Sequence, residues 1–151
     1  MELTQKAEEF LKKLLSLMGV EASFDLSEHE DSLFISLNTA EPGLLIGRRG
    51  ETLDALQYLL NIAANKGLAE RQRIVLDVEG YRAEKKKSLE ELAKKTAEQV
   101  ISQGLSIALE PMNPFERRIV HMALLDYPGV ETTSEGEEPY RKVTIFPKKE
   151  G

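Results

Sequence analysis

Two short constellations in this chain could do chemistry. The first is Gly47-Arg48-Arg49-Gly50. Two glycines three apart let a backbone turn sharply and come close to a ligand, and the two guanidinium groups between them carry planar donor forks suited to phosphate. An amphipathic run follows at once, so a helix there would aim its unpaired N–H groups and the positive end of its dipole at the turn. A phosphodiester backbone is a natural ligand for that combination. The second constellation is Arg117-Arg118-Ile119-Val120-His121. Four residues apart on a helix, Arg117 and His121 would be neighbours on the side opposite Phe115, Ile119, Met122 and Ala123. That predicts an exposed pair able to touch phosphate and base together.

Other chemistries fit these residues less well. A mononucleotide P-loop needs Lys-Ser/Thr after its second glycine, where this chain has Glu51-Thr52, and a dinucleotide fingerprint lacks its first glycine and preceding strand. A hydrolase with His121 as acid/base and Arg117 stabilising developing charge finds no support beyond that pair. The chain has two histidines, no His-x-x-x-His or His-x-Glu metal spacing and no Ser-His-Asp spacing. There are no cysteines, which excludes disulfides, thiolate metal sites and cysteine nucleophiles together. A non-enzymatic protein without cofactor or metal is the expectation. Taken alone, the glycine turn also suits an ordinary connection between two helices, and a lone helical His is commonly a surface residue or a satisfied core contact.

The elements that must position these residues alternate in period. Ala7, Phe10, Leu11, Leu14, Leu15 and Met18 recur at helical spacing and predict a helix from Leu3 to Met18, stopped by Gly19. Ala22, Phe24 and Leu26, then Leu33, Ile35 and Leu37, alternate at period two around the polar stretch SEHEDS and predict a hairpin. Pro42-Gly43 breaks it, and the short apolar piece Leu44-Leu45-Ile46 leads into the glycine turn. From Thr52 to Ala64 the period is helical again, with Leu53, Leu56, Leu60 and Ala63 on one side and Asp54, Gln57, Asn61 and Asn65 on another. Ile74, Leu76 and Val78 supply a third strand.

Gly80 marks a boundary, predicting domains over 1–80 and 81–151. The second opens with a long lysine-rich helix over 81–103 that carries Leu89, Leu92, Ala93, Ala97, Val100 and Ile101 in phase. A short strand within 106–110 follows. Asn113, Pro114 and Glu116 then provide a cap, a first-turn proline and a reciprocal capping carboxylate for the helix bearing Arg117 and His121. Val130 to Thr133 and Arg141 to Pro147 read as two last strands. The fold class is α+β in two small domains, α-β-β-α-α-β and then α-β-α-β-β.

Composition supports a soluble, cytoplasmic protein without membrane insertion: 151 residues, 41% apolar, 30% charged, and no apolar run near the length of a membrane span. The N-terminus has acidic residues and helical spacing, unlike a signal peptide. Net charge is −6. Residues 1–80 hold 8 Lys/Arg against 14 Asp/Glu, while residues 81–151 hold 12 against 12. Binding to nucleic acid must therefore rest on local basic patches.

Helix, strand, strand, helix, GxxG, helix, strand resembles a KH domain of the prokaryotic type II arrangement, carried by Leu45-Ile46-Gly47-Arg48-Arg49-Gly50-Glu51-Thr52-Leu53. In such domains the GxxG turn clamps the backbone of about four single-stranded nucleotides. The resemblance implies that Leu45, Ile46 and Leu53 line an aliphatic base groove near the loop Ser27 to Asp31. Glu28, Glu30 and Asp31 depart from the pattern, since acidic residues there should weaken RNA binding. Arg117-x-x-x-His121 resembles the signature of the R-three-H domain, and Val130 to Arg141 is similar to its downstream pattern, with Thr132, Ser134, Gly136 and Arg141 at matching places. The two modules in this order resemble the Jag, or SpoIIIJ-associated, family of bacterial RNA-binding proteins. That implies a non-catalytic binder of single-stranded RNA, or of single-stranded DNA, acting as a post-transcriptional or cell-envelope regulator. Its implied site residues are Gly47, Arg48, Arg49, Gly50, Ile46, Leu45, Leu53, Arg117, His121, Arg141 and Ser134. An alternative is an interaction scaffold: Tyr58 and Ile62 leave the leucine stripe of their helix on a face suited to pairing with another KH domain, and the resemblance implies a KH–KH homodimer, or a heterodimer with another KH protein, formed through the GxxG region. Many family members carry an additional N-terminal Jag domain, and this chain starts almost directly with the KH helix.

Overall fold

The computed structural model describes residues 2–149 and divides into two compact units that part between Arg82 and Ala83. The first unit contains α1 (Glu2–Met18), β1 (Ser23–Glu28), β2 (Ser32–Asn38), α2 (Pro42–Ile46), a single 3-10 turn (Arg48–Gly50), α3 (Glu51–Asn65) and β3 (Arg73–Val78). The second contains α4 (Tyr81–Gln103), which begins two residues before the division, then β4 (Ile107–Ala108), α5 (Pro114–Leu124), β5 (Val130–Glu135) and β6 (Lys142–Pro147). This is the α+β order expected from the sequence. Among the described residues no helix is long and apolar enough to cross a membrane.

In the first unit β2 is the central strand, antiparallel to β1 and parallel to β3, with Ile35 opposite both Leu26 and Leu76. Period-two alternation sends Leu33, Ile35, Leu37, Ile74, Leu76 and Val78 to one face, where all are buried. Leu3, Ala7, Leu11 and Leu15 of α1 and Leu53, Leu56 and Leu60 of α3 cover that face. Burying each such leucine contributes about 1.5–3 kcal/mol. Helix α1 ends in a Schellman motif: Gly19 takes φ 72°, its N–H donates to Ser16 O, and Val20 N–H donates to Leu15 O.

The polar side of α3 has a structural role that its periodicity does not show. Gln57, Asn61 and Asn65 hydrogen-bond the outer edge of β3 as another strand would. Asn65 accepts from Gln72 N–H and donates to Gln72 O, both at 2.9 Å. Asn61 does the same with Ile74 at 2.8 Å, and Gln57 accepts from Leu76 N–H at 2.9 Å. The match is metric: four helical residues rise about 6 Å and two strand residues about 6.6 Å, so amides four apart meet alternate strand residues. Ala64 rather than Ala63 is fully buried, and Asn65 is buried with it.

In the second unit β6 lies between β4 and β5, antiparallel to both. Val130, Val143 and Ile145 meet Leu89, Ala93, Ala97 and Val100 of α4 and Val120 and Leu124 of α5 in one core. Helix α5 begins with the expected capping box: Asn113 Oδ1 accepts from Glu116 N–H at 2.8 Å, and Glu116 Oε1 accepts from Asn113 N–H at 3.1 Å. The buried face of α5 is only partly the expected one: Ile119 and Ala123 do pack in the core. Phe115 and Met122 are exposed, and Glu116, Arg117, Val120 and Leu124 are buried with Ile119 at the margin. Val120 and Leu124 add a second apolar stripe next to Arg117. That side is buried because its charged members, Glu116 and Arg117, find fixed partners there.

Candidate nucleic-acid interface

The turn before α3 is left-handed at three of its four residues. Gly47 has φ 72° and ψ −172°, Arg49 φ 56° and ψ 22°, and Gly50 φ 82° and ψ 9°. The Gly47 pair lies in a region that glycine alone adopts freely. Packing imposes the same choice: a Cβ on Gly47 would overlap the Thr52 side chain, and one on Gly50 would lie 2.9 Å from the ring of Tyr81. Thr52 and Tyr81 therefore brace the turn from within, which its four residues alone did not reveal. Arg48 and Arg49 point outward and are both exposed. A helical residue followed by a left-handed one turns successive N–H groups to one side, a concavity suited to anions.

Helix α3 adds its own field. Its N-cap is Gly50, which has no side chain to cap the first-turn N–H groups. Two carboxylates, Glu51 and Asp54, lie in that first turn and offset part of the positive potential. Asp54 is itself paired with Arg82 at 3.2 Å, and Arg82 also donates to Leu76 O and Gln57 Oε1. Leu45 and Leu53, expected in an open aliphatic groove, are instead fully buried in the core of this unit, and Ile46 is half-buried. The leucines anchor the two sides of the turn to the sheet. The exposed large apolar side chains of α2 and α3 are Leu44, next to the turn in sequence, and Tyr58, Leu59 and Ile62 further along α3.

The second constellation is arranged differently from its expected exposed pair. Arg117 is 8% exposed. Its Nη1 donates to Met112 O at 2.6 Å and its Nη2 pairs with Glu138, so the guanidinium ties the start of α5 to the β5–β6 connection. His121 is half-buried, with Nδ1 2.6 Å from Thr132 Oγ1 and Nε2 2.7 Å from Ser134 Oγ, both on β5. A neutral imidazole has one donor and one acceptor nitrogen, and a hydroxyl serves either role. Burial and the nearby Arg117 charge lower the His121 pKa below its ordinary 6.5, so the ring is neutral at pH 7. Arg141 donates to Gly136 O at 2.6 Å and Ser134 O at 3.1 Å. His121 and Arg141 thus both bond Ser134, through its hydroxyl and its carbonyl, while Arg117 is held separately by Met112 O and Glu138. Thr132 is the second partner of His121. Glu138 was hidden in an acidic turn that reads as solvated surface.

Lys85 of α4 meets the other oxygen of the buried Glu116 at 3.2 Å, compensating that carboxylate. Beside it, Lys86 and Glu90 of α4 and Phe115, Arg118, Ile119 and Met122 of α5 line an open groove of about 320 Å³.

Comparison with known proteins gives each unit a counterpart. Residues 4–78 match the KH domain of the KhpA/KhpB type, and residues 87–147 match the R-three-H domain. Over 150 residues the chain is 45% identical to RNA-binding protein KhpB of Clostridium symbiosum, covering 98% of this chain and 68% of that protein. It is 33% identical over 147 residues to RNA-binding protein KhpB of Bacillus subtilis, covering 96% and 71%. The protein of the same name from Lactiplantibacillus plantarum is 36% identical over 141 residues, and this chain spans 44% of its length.

Proposed function

The chain belongs to the family of RNA-binding protein KhpB, and from that premise we propose that it binds single-stranded RNA without catalysis, gripping the sugar-phosphate backbone at Gly47-Arg48-Arg49-Gly50. The observation that carries this reading is the left-handed turn braced by Thr52 and Tyr81, with two exposed arginines before an uncapped 15-residue helix. Backbone N–H groups and exposed guanidinium groups together recognise a phosphate without reading sequence. The buried Arg117 and the half-buried His121, Ser134 and Arg141 act as support, holding β5 and its turn in shape. Two weakly binding units on one chain raise overall affinity by avidity.

Arg48→Asp combined with Arg49→Asp tests the clamp. Aspartate tolerates the left-handed conformation at position 49, so the fold should persist. Affinity for a fluorescein-labelled single-stranded RNA, read by anisotropy at fixed salt, is expected to fall at least tenfold. Unchanged affinity would remove the clamp from the account, and cleavage of the labelled RNA abolished by His121→Ala would replace binding with hydrolysis.

A second reading is favoured by one observation: Tyr58 is 68% exposed, with Leu59 and Ile62 beside it on α3. That apolar face suits pairing with another KH domain, either a second copy or a different protein. Solution mass with and without oligonucleotide separates this from RNA binding.

A further inference from the structure

Four aromatic side chains are substantially exposed among the described residues: Phe34, Tyr58, Phe115 and Tyr140. A nucleobase needs an exposed ring to stack on and cations nearby for the phosphates that flank it. Phe34 lies on the outer sheet face in a groove that also holds Asp25 and Asp77. Tyr140 follows Glu137 and Glu138, and Tyr58 sits among Leu59 and Ile62. Phe115 differs: its groove is framed by Lys86 on α4 and Arg118 on α5, against one carboxylate, Glu90.

From this we infer that the α4–α5 groove is a base-stacking site for single-stranded RNA, with Phe115 as the platform, Met122 and Ile119 as its apolar floor, and Arg118 and Lys86 holding the adjoining phosphates. Phe115, Arg118 and Met122 are spaced i, i+3, i+7 and therefore form one stripe along α5, away from the buried Arg117. Phe115 is 58% exposed and Met122 59%, although the core of this unit is complete without them. An apolar peptide would use the same floor but has no need of the two cations, and that difference decides the occupant. The inference rests on the RNA-binding reading and moves the second contact from the Arg117/His121 pair to the opposite side of the same helix.

The chain contains no tryptophan, so Phe115→Trp places a single indole at the platform. Titrating the full chain carrying Phe115→Trp with an unlabelled single-stranded RNA 20-mer is expected to quench indole emission, with the same midpoint as anisotropy of the labelled strand. Phe115→Ala and Arg118→Glu are each expected to weaken binding on the order of tenfold, with circular dichroism unchanged because both side chains are exposed. Unquenched emission during saturable binding, or undiminished affinity in Phe115→Ala, overturns the stacking site and leaves the glycine clamp standing. If the wild-type chain binds no single-stranded RNA, the underlying reading falls and this one with it. A loss of self-association in Phe115→Ala without RNA, measured by sedimentation, would assign the groove to a second copy instead.

Discussion

Asn61 of α3 and Ile74 of β3 pair as two residues of neighbouring strands would: the side-chain amide accepts the Ile74 N–H and donates to its carbonyl, both at 2.8 Å. Together with Asn65 and Gln57 it closes an edge that would otherwise be open to strand addition. Asn61→Ala leaves both Ile74 groups without these partners and is expected to destabilise the first unit by about 2–4 kcal/mol. Amide hydrogen exchange gives the specific readout, since protection at Ile74 should fall more than protection at Val75, which pairs with β2. Equal loss at the two positions would show a general destabilisation and not a broken edge.

The brace on the glycine turn should behave as a coupled pair. Gly50→Ala forces a methyl to within 2.9 Å of the Tyr81 ring at φ 82°, and a left-handed non-glycine residue alone costs roughly 1–2 kcal/mol. Truncation of the ring in a Gly50→Ala, Tyr81→Ala double variant removes the clash but not the backbone strain. The double variant is therefore expected to be less destabilised than the sum of the single ones. Thermal melting of the four proteins measures this, and simple additivity would refute the contact.

Arg117 should matter for stability before it matters for affinity. Arg117→Ala leaves Met112 O without its buried donor and Glu138 without its partner, a loss of about 1–3 kcal/mol once the half-exposure of Glu138 is allowed for. At a temperature where wild type and variant are both fully folded, RNA affinity should change by less than about threefold. A larger drop in the folded variant would restore Arg117 as a direct contact.

Protonation of His121 should weaken the second unit. Its folded pKa lies below 6.5, so the unfolded chain takes up the proton first as pH falls. The corresponding stability is fully present above about pH 6.5 and is lost as pH falls toward the folded value. The difference in melting temperature between wild type and His121→Gln is thus expected to shrink from pH 7.5 to pH 5. A difference independent of pH would mean that the ring titrates alike in both states.

Salt dependence reports how many phosphates are held. For single strands, the slope of log affinity against log salt is about −0.7 per phosphate. Replacing Arg48 and Arg49 with aspartate should reduce its magnitude by about 1.4 or more if each arginine holds one phosphate. Titrations at several salt concentrations measure this, and an unaltered slope would place the phosphate contacts elsewhere.

The order and type of the elements were legible in the residues, because the hydrophobic period switches cleanly between helical and strand spacing and because Gly19, Pro42, Asn113 and Pro114 mark boundaries by local chemistry. The glycine turn was legible too, since its φ values are demanded by residues that few other types can replace. What a helix does with its polar side was not. On a wheel Gln57, Asn61 and Asn65 are only a polar side, and the placement of β3 alongside makes them strand partners. Arg117 and His121 are neighbours by spacing alone, but their burial depends on Glu138, Thr132 and Ser134, which the fold brings from 11 to 21 residues away. Spacing along one helix fixes which residues are adjacent. Which face meets the core is decided by the partners that tertiary structure supplies, because a charged side chain is buried only where its hydrogen bonds are met.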